Sequence, residues 1–157
     1  MKNKNIFNLI LFISIFALGS AYFIEYILGY QACNLCLIER IPYLIAIIII
    51  LISFSLNKLE KISLIFLSFI FFLATILSFY HFGIEQGFFS ESLVCKVEDL
   101  SKLLSKEQLL EQLKQNSVSC KDVSFKVLGL SLAAINTIFS LFLSVIFTKL
   151  FLSYEKN

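Results

Sequence analysis

The chain has 157 residues, 59% of them hydrophobic and only 15% charged, with a formal net charge of +2. Soluble domains run near half apolar and a quarter charged, so this is the composition of one membrane domain, 1–157. No basic cluster interleaves with aromatic residues, which argues against nucleic acid as a partner.

The first five residues are polar and carry Lys2 and Lys4. An apolar run follows over 6–28, and about 20 residues suffice to span a bilayer as helix. A basic start, an apolar core and small residues at Ala17 and Gly19 also fit a signal peptide. The run continues through Tyr22, Phe23, Ile24, Ile27 and Leu28, broken only by Glu25, and that favours an uncleaved span. A short link over 29–40 carries Cys33-Asn34-Leu35-Cys36-Leu37-Ile38-Glu39-Arg40. The second apolar run, 41–56, has Pro42 in its first turn, where a missing N–H is tolerated. It is slightly short, so its helix is expected to begin nearer Cys36. A polar turn with Lys58 and Lys61 precedes a third run over 62–80. A mixed segment, 81–126, leads to a fourth run over 127–147.

The pattern predicts an all-α, antiparallel four-helix membrane bundle with a long outward loop between its third and fourth helices. Lys2, Lys4, Lys58, Lys61, Lys149 and Lys156 fall at the termini and the short turn, against Glu60 and Glu155. The 81–126 segment balances six lysines with seven acids. Basic residues in short loops near span ends set orientation. Both termini are therefore expected in the cytoplasm and both cysteine-bearing segments outside. Leu100, Leu103, Leu104, Leu109, Leu110 and Leu113 suggest a loop helix, either lying on the membrane surface or simply solvated.

All four cysteines, Cys33, Cys36, Cys95 and Cys120, sit in the outward segments. Thiols outside the cytoplasm pair by default, and four cysteines allow three connectivities. The spacing of Cys33 and Cys36 is that of a redox-active dithiol, which leaves Cys95 with Cys120. A loop as small as Cys-x-x-Cys is a poor staple, because closing it removes little chain entropy. A four-thiolate zinc site would want tight spacing in both halves, and Cys95 and Cys120 lie far apart. No structural metal is expected.

Reactivity requires thiolate. Cys36 sits near a helix start, which stabilises negative charge, and Arg40 lies one helical turn on. Arg40 is therefore a candidate for lowering the Cys36 pKa and holding a charged intermediate. Glu39 reads as a solvated or topological charge, and His81, with Glu85 four residues on, as an interfacial polar residue. A dithiol that oxidises other thiols must pass on two electrons. The chain has no Gly-x-Gly-x-x-Gly for a flavin or nicotinamide, and no Cys-x-x-Cys-His for covalent haem. One histidine cannot supply bis-His haem. By elimination the acceptor is a quinone in the bilayer.

At these residues the chain resembles the DsbB family of disulfide-bond formation proteins. Three stretches carry the resemblance: Cys33 to Arg40; Tyr80-His81-Phe82-Gly83-Ile84-Glu85-Gln86-Gly87; and Ser119-Cys120-Lys121-Asp122-Val123 with Leu128-Gly129-Leu130-Ser131-Leu132-Ala133. The resemblance implies a bacterial inner-membrane oxidoreductase, its long outward loop periplasmic, that reoxidises a soluble periplasmic thioredoxin-like oxidase of the DsbA type. Cys95 would form the mixed disulfide with that partner, Cys120 would be its mate, and electrons would pass to the Cys33–Cys36 pair. Cys36 would face a ubiquinone or menaquinone, with Arg40 and His81 helping to bind it. Trp, common in the family's loop and membrane edges, is absent here. Two other readings compete. A relay like vitamin K epoxide reductase would carry its Cys-x-x-Cys late in the chain, and a disulfide-locked scaffold would reduce no quinone.

Overall fold

Hydrophobic periodicity becomes helix over most of this chain, as seen in a computed structural model that describes residues 4–56, 59–90, 95, 119–122, 125–127 and 129–155. Helix α1 covers Lys4–Tyr22 and runs into a π-helical turn, Phe23–Ile27. A short α2, Asn34–Ile38, is followed directly by α3, Ile41–Ser55. Helix α4 covers Glu60–Glu85. Strands β1, Lys126–Val127, and β2, Leu130–Ser131, form a small antiparallel hairpin. Helix α5, Leu132–Glu155, follows at once. Four stretches are long and apolar enough to cross a membrane: Lys4–Ile27, Asn34–Ser55, Glu60–Glu85 and Leu132–Ser153. The Leu100–Leu113 segment lies outside the described residues.

The helix bounds differ from the apolar runs at three places, each for a local reason. The second span begins at Asn34, close to the start near Cys36 expected from the shortness of its apolar run, with a break at Glu39 and Arg40; Cys33 caps α2, its Sγ accepting from the Cys36 N–H at 3.2 Å. The third runs five residues past Tyr80 to Glu85. It ends where Gly87, at φ 77°, lets its N–H reach Ile84 O and the Phe88 N–H reach Gly83 O, a Schellman closure that favours glycine. The fourth begins at Leu132 rather than at 127. Gly129, at φ 86°, turns the hairpin, and Ser131 Oγ then accepts the Ala134 N–H at 3.2 Å as an N-cap.

Along α4 the buried positions run Glu60, Leu64, Leu67, Phe71, Ala74, Ser78 and His81. These alternating steps of three and four residues make one stripe that faces its neighbours. The stripe meets Phe7 and Ile10 of α1, Tyr43, Ala46 and Ile50 of α3, and Leu143 and Phe147 of α5. Lipid is as apolar as these side chains, so their association depends on close packing, small residues and interhelical hydrogen bonds. All three are present. Ala46, Ala74, Ser140 and Ser144 are buried. Ser68 and Thr148 share a hydrogen bond of 2.7 Å. The Phe71 ring stacks on Phe147 at 5.7 Å and meets Tyr43 edge-on at 5.6 Å. The opposite face of α4 presents Phe66, Phe69, Phe72 and Phe79 outward, as a lipid-facing surface. Helix α4 packs most extensively on α5, while α1 packs mainly on α3.

Phe71 and Phe69 allow a direct comparison. Phe71→Ala should open a cavity and lower bundle stability by about 3 kcal/mol. Phe69→Ala, at a side chain 58% exposed, should cost under about 1 kcal/mol. Unfolding in mixed detergent micelles would measure both; equal losses would contradict the packing described.

Candidate active site

At one end of the bundle the turn after α1, the start of α2, the last turns of α4 and the residues before β1 converge. Cys33, Leu35, Ile84, Cys95 and Cys120 form one buried cluster, with Cys36, Leu77 and Tyr80 packed against it. All four cysteines thus meet at that end. Cys95 and Cys120 are joined as a disulfide, while Cys33 and Cys36 are free thiols. The pairing expected for Cys33 and Cys36 is therefore not formed here: the Cys33 sulfur instead caps α2 and faces an imidazole.

That imidazole belongs to His81, which α4 delivers because its helix continues past Tyr80. His81 is 2% exposed and is not an interfacial residue. Its Nε2 lies 3.5 Å from Cys33 Sγ and its Nδ1 lies 2.7 Å from Glu39 Oε1. Glu39, expected to be solvated, is 8% exposed. The break between α2 and α3 turns it inward while Arg40 turns aside. Its second oxygen accepts from Asn136 Nδ2 at 2.8 Å. Asn136 is fully engaged, because Nδ2 also donates to Ser78 Oγ at 2.8 Å and Oδ1 accepts from Tyr43 and Ser140. A continuous polar chain thus runs from α5 through Glu39 and His81 to the sulfur of Cys33. Cys-His-carboxylate order is the arrangement that activates a nucleophile by fixing the imidazole beside it.

Cys33 lies just outside the second span. The hydrogen bond with the Cys36 side chain, and then the contact with His81, hold its thiol well below the usual range despite burial. Sequence reasoning gave the activated role to Cys36, with Arg40 as the cation. The structure puts the stabilising partners on Cys33. Arg40 bonds Glu25 through Nη1 and stacks over the Tyr22 ring at 4.9 Å to its centroid. The π-helical turn after Tyr22 carries Glu25; such turns recur at functional sites.

A cavity of about 510 Å³ opens beside these groups. Phe12, Ile13 and Phe16 of α1 and Ile135 and Phe139 of α5 form its walls, and Cys33, Cys36, Arg40, His81 and Glu85 border it. Phe12 and Phe16 are themselves 68% and 67% exposed, so the cavity reaches the lipid-facing surface between α1 and α5. Sequence reasoning missed Glu39, Asn136, Tyr43 and Ser78. Asn136 did carry a signal, as a polar residue within an apolar span, which rarely faces lipid.

The family described as "Disulfide bond formation protein DsbB" matches residues 3–150 of the chain. A curated relative, "Uncharacterized protein RP370" of Rickettsia prowazekii (strain Madrid E), is 36% identical over 155 residues, covering 97% of this chain and 90% of that protein. No solved structure is significantly similar.

His81→Asn tests the activation of Cys33. At pH about 6, well below the ordinary thiol pKa of about 8.5, alkylation by iodoacetamide requires a lowered pKa. Loss of the imidazole raises that pKa and so depletes the thiolate. The alkylation rate at pH about 6 should fall roughly tenfold, with little change at pH about 9.5. Equal rates for both proteins at the lower pH would contradict the role given to His81.

Proposed function

The chain belongs to the DsbB family and is a multi-pass membrane disulfide oxidoreductase, and we propose that it reoxidises a soluble periplasmic thiol oxidase of the DsbA type and passes the electrons to a membrane quinone. The observation that carries this reading is the cavity: one boundary reaches the lipid-facing surface, the other is the Cys33–Cys36 dithiol. The cysteine end of the bundle faces the periplasm of a bacterial inner membrane, and both termini lie in the cytoplasm.

The order of exchanges is the one that membership of the family implies. Each step is attack of a thiolate on a disulfide sulfur through a mixed disulfide. The reduced partner attacks Cys95; Cys120 leaves as thiolate; the partner's second thiol then releases Cys95, so the partner gains a disulfide and the outer pair gains two electrons. Cys120 and Cys33 share one buried cluster. The outer dithiol can therefore reduce a Cys33–Cys36 disulfide and become a disulfide again. His81 takes or returns the proton of Cys33 at Nε2, and Glu39 fixes the imidazole through Nδ1.

The residues fit a quinone. The cavity is walled by aromatic and aliphatic side chains and bordered by a guanidinium, an imidazole and two thiols. Cys36, Arg40 and His81 would hold the head group. A quinone supplies an acceptor for two electrons and two protons, matching what a dithiol gives up on forming a disulfide. Glu25 and Tyr22 hold the Arg40 guanidinium beside the cavity, so its charge is already ordered.

Two experiments test the reading. Cys36→Ser should abolish quinone reduction by protein supplied with reduced partner, and Arg40→Ala should raise the KM for quinone more than it alters exchange with the partner. Equal effects on both would count against a quinone role for Arg40. Cys120→Ser should accumulate a mixed disulfide between Cys95 and the partner on a non-reducing gel; an adduct through Cys33 would reverse the proposed order.

A further inference from the structure

Glu85 has no part in the relay just described. It stands one turn after His81 on the same face of α4, with its side chain 6% exposed and its Oε1 3.9 Å from His81 Nε2. Its Oε2 is buried and has no hydrogen-bond partner among the described residues. A buried carboxylate oxygen left without a partner, on a side chain close to an imidazole, is a vacant donor.

The neighbouring atoms are already spaced for a cation. Cys33, Cys36 and His81 each offer one donor atom, and these three lie within 4.8 Å of one another. With Zn–S about 2.3 Å and Zn–N about 2.0–2.1 Å, tetrahedral geometry sets sulfur and nitrogen about 3.5 Å apart. Cys33 Sγ and His81 Nε2 stand 3.5 Å apart. Glu85, with Oε1 3.9 Å from His81 Nε2, stands outside that three-residue cluster, and nitrogen and oxygen donors on one ion would be about 3.3 Å apart, so its side chain must swing inward to complete a four-coordinate site. The outer support is also in place. His81 gives Nδ1 to the Glu39 carboxylate, leaving Nε2 for the metal, as in carboxylate–histidine–zinc arrangements. Sequence reasoning set zinc aside because Cys95 and Cys120 could not complete a four-thiolate site. The site assembled by the fold uses neither of them.

We propose that the reduced Cys33–Cys36 pair, with His81 and Glu85, binds one thiophilic divalent cation of the zinc class, and that the bound ion arrests the relay. The proposal rests on the reading that Cys33 and Cys36 are the working pair. Binding one M²⁺ to the Cys33 and Cys36 sulfurs, His81 Nε2 and the Glu85 carboxylate displaces whatever protons those donor atoms still carry, and no electron moves. Both sulfurs are then metal-bound thiolates, which cannot close to a disulfide until the ion leaves. The oxidised pair offers no thiolate, so the ion would be captured only when electrons have arrived and have not yet been passed on.

Cobalt(II) is the probe, added without oxygen to the full-length protein in detergent after reduction and removal of reductant. One ion per chain should bind, with thiolate-to-cobalt charge-transfer absorption and the intense visible bands of a four-coordinate site. The spectrum should be the same in a Cys95→Ser/Cys120→Ser variant. Cys36→Ser should remove about half of the charge-transfer intensity. Glu39→Gln should weaken binding about 10–100-fold. Zinc should displace cobalt and block oxidation of the dithiol, with recovery on adding a chelator. Absence of the charge-transfer band, or dependence on Cys95 and Cys120, would overturn the proposal. Glu85→Gln with unchanged affinity and spectrum would overturn the assignment of the fourth donor. If the metal-free protein reduces no quinone, the cobalt spectrum is unaffected, so failure of the relay and failure of the metal site give different results.

Discussion

A carboxylate carried into the end of an apolar bundle has to be held on every side, and Glu39 is held on both oxygens. An isolated charge there would cost several kcal/mol. His81 and Asn136 take one oxygen each, and they come from α4 and α5. Satisfying one side chain therefore fixes three helices relative to one another at the level of the dithiol. The same bonds set the tautomer of His81 and leave its other nitrogen facing Cys33. Replacing any member leaves the rest buried and unpaired, the condition under which polar networks specify one arrangement.

The caps and breaks of the helices serve that arrangement. Cys33 ends the link after Gly29 and starts α2 with its own sulfur. The break at Glu39 and Arg40 sends adjacent side chains to different partners: Glu39 to the imidazole, Arg40 to Glu25 and Tyr22. Without that break a straight helix would set these two residues only about 100° apart. The Gly87 closure lets α4 run far enough to place His81 and Glu85, and the Ser131 cap starts α5 so that Asn136 falls within reach of Glu39. Because α1 packs on α3 and α5 on α4, the space between α1 and α5 stays open as the cavity beside the dithiol.

The four spans were legible because membrane crossing demands long apolar runs, and Cys-x-x-Cys was legible because its spacing is short and local. Glu39 was misread because its neighbours in sequence, Ile38 and Arg40, suggest a membrane edge. Its burial depends on Asn136, 97 residues away, which no local pattern reports. His81 was placed at the end of a span because Tyr80 closes the apolar run, whereas the helix runs on to Glu85 before Gly87 closes it. Arg40 was assigned to Cys36 from the helical spacing alone. The break before Arg40 sends its side chain to Glu25 in the π-helical turn after α1 instead, a change that periodicity cannot anticipate.

The central claim is that electrons held on Cys33 and Cys36 leave through the cavity between α1 and α5. A photoreactive azidoquinone, illuminated in membranes and mapped by mass spectrometry, tests it directly. Labels are expected on Ile13, Phe16, Ile135 or Phe139, suppressed by excess unlabelled quinone. Labels spread over the outward face of α4, at Phe66, Phe69 and Phe72, with none suppressed, would contradict it.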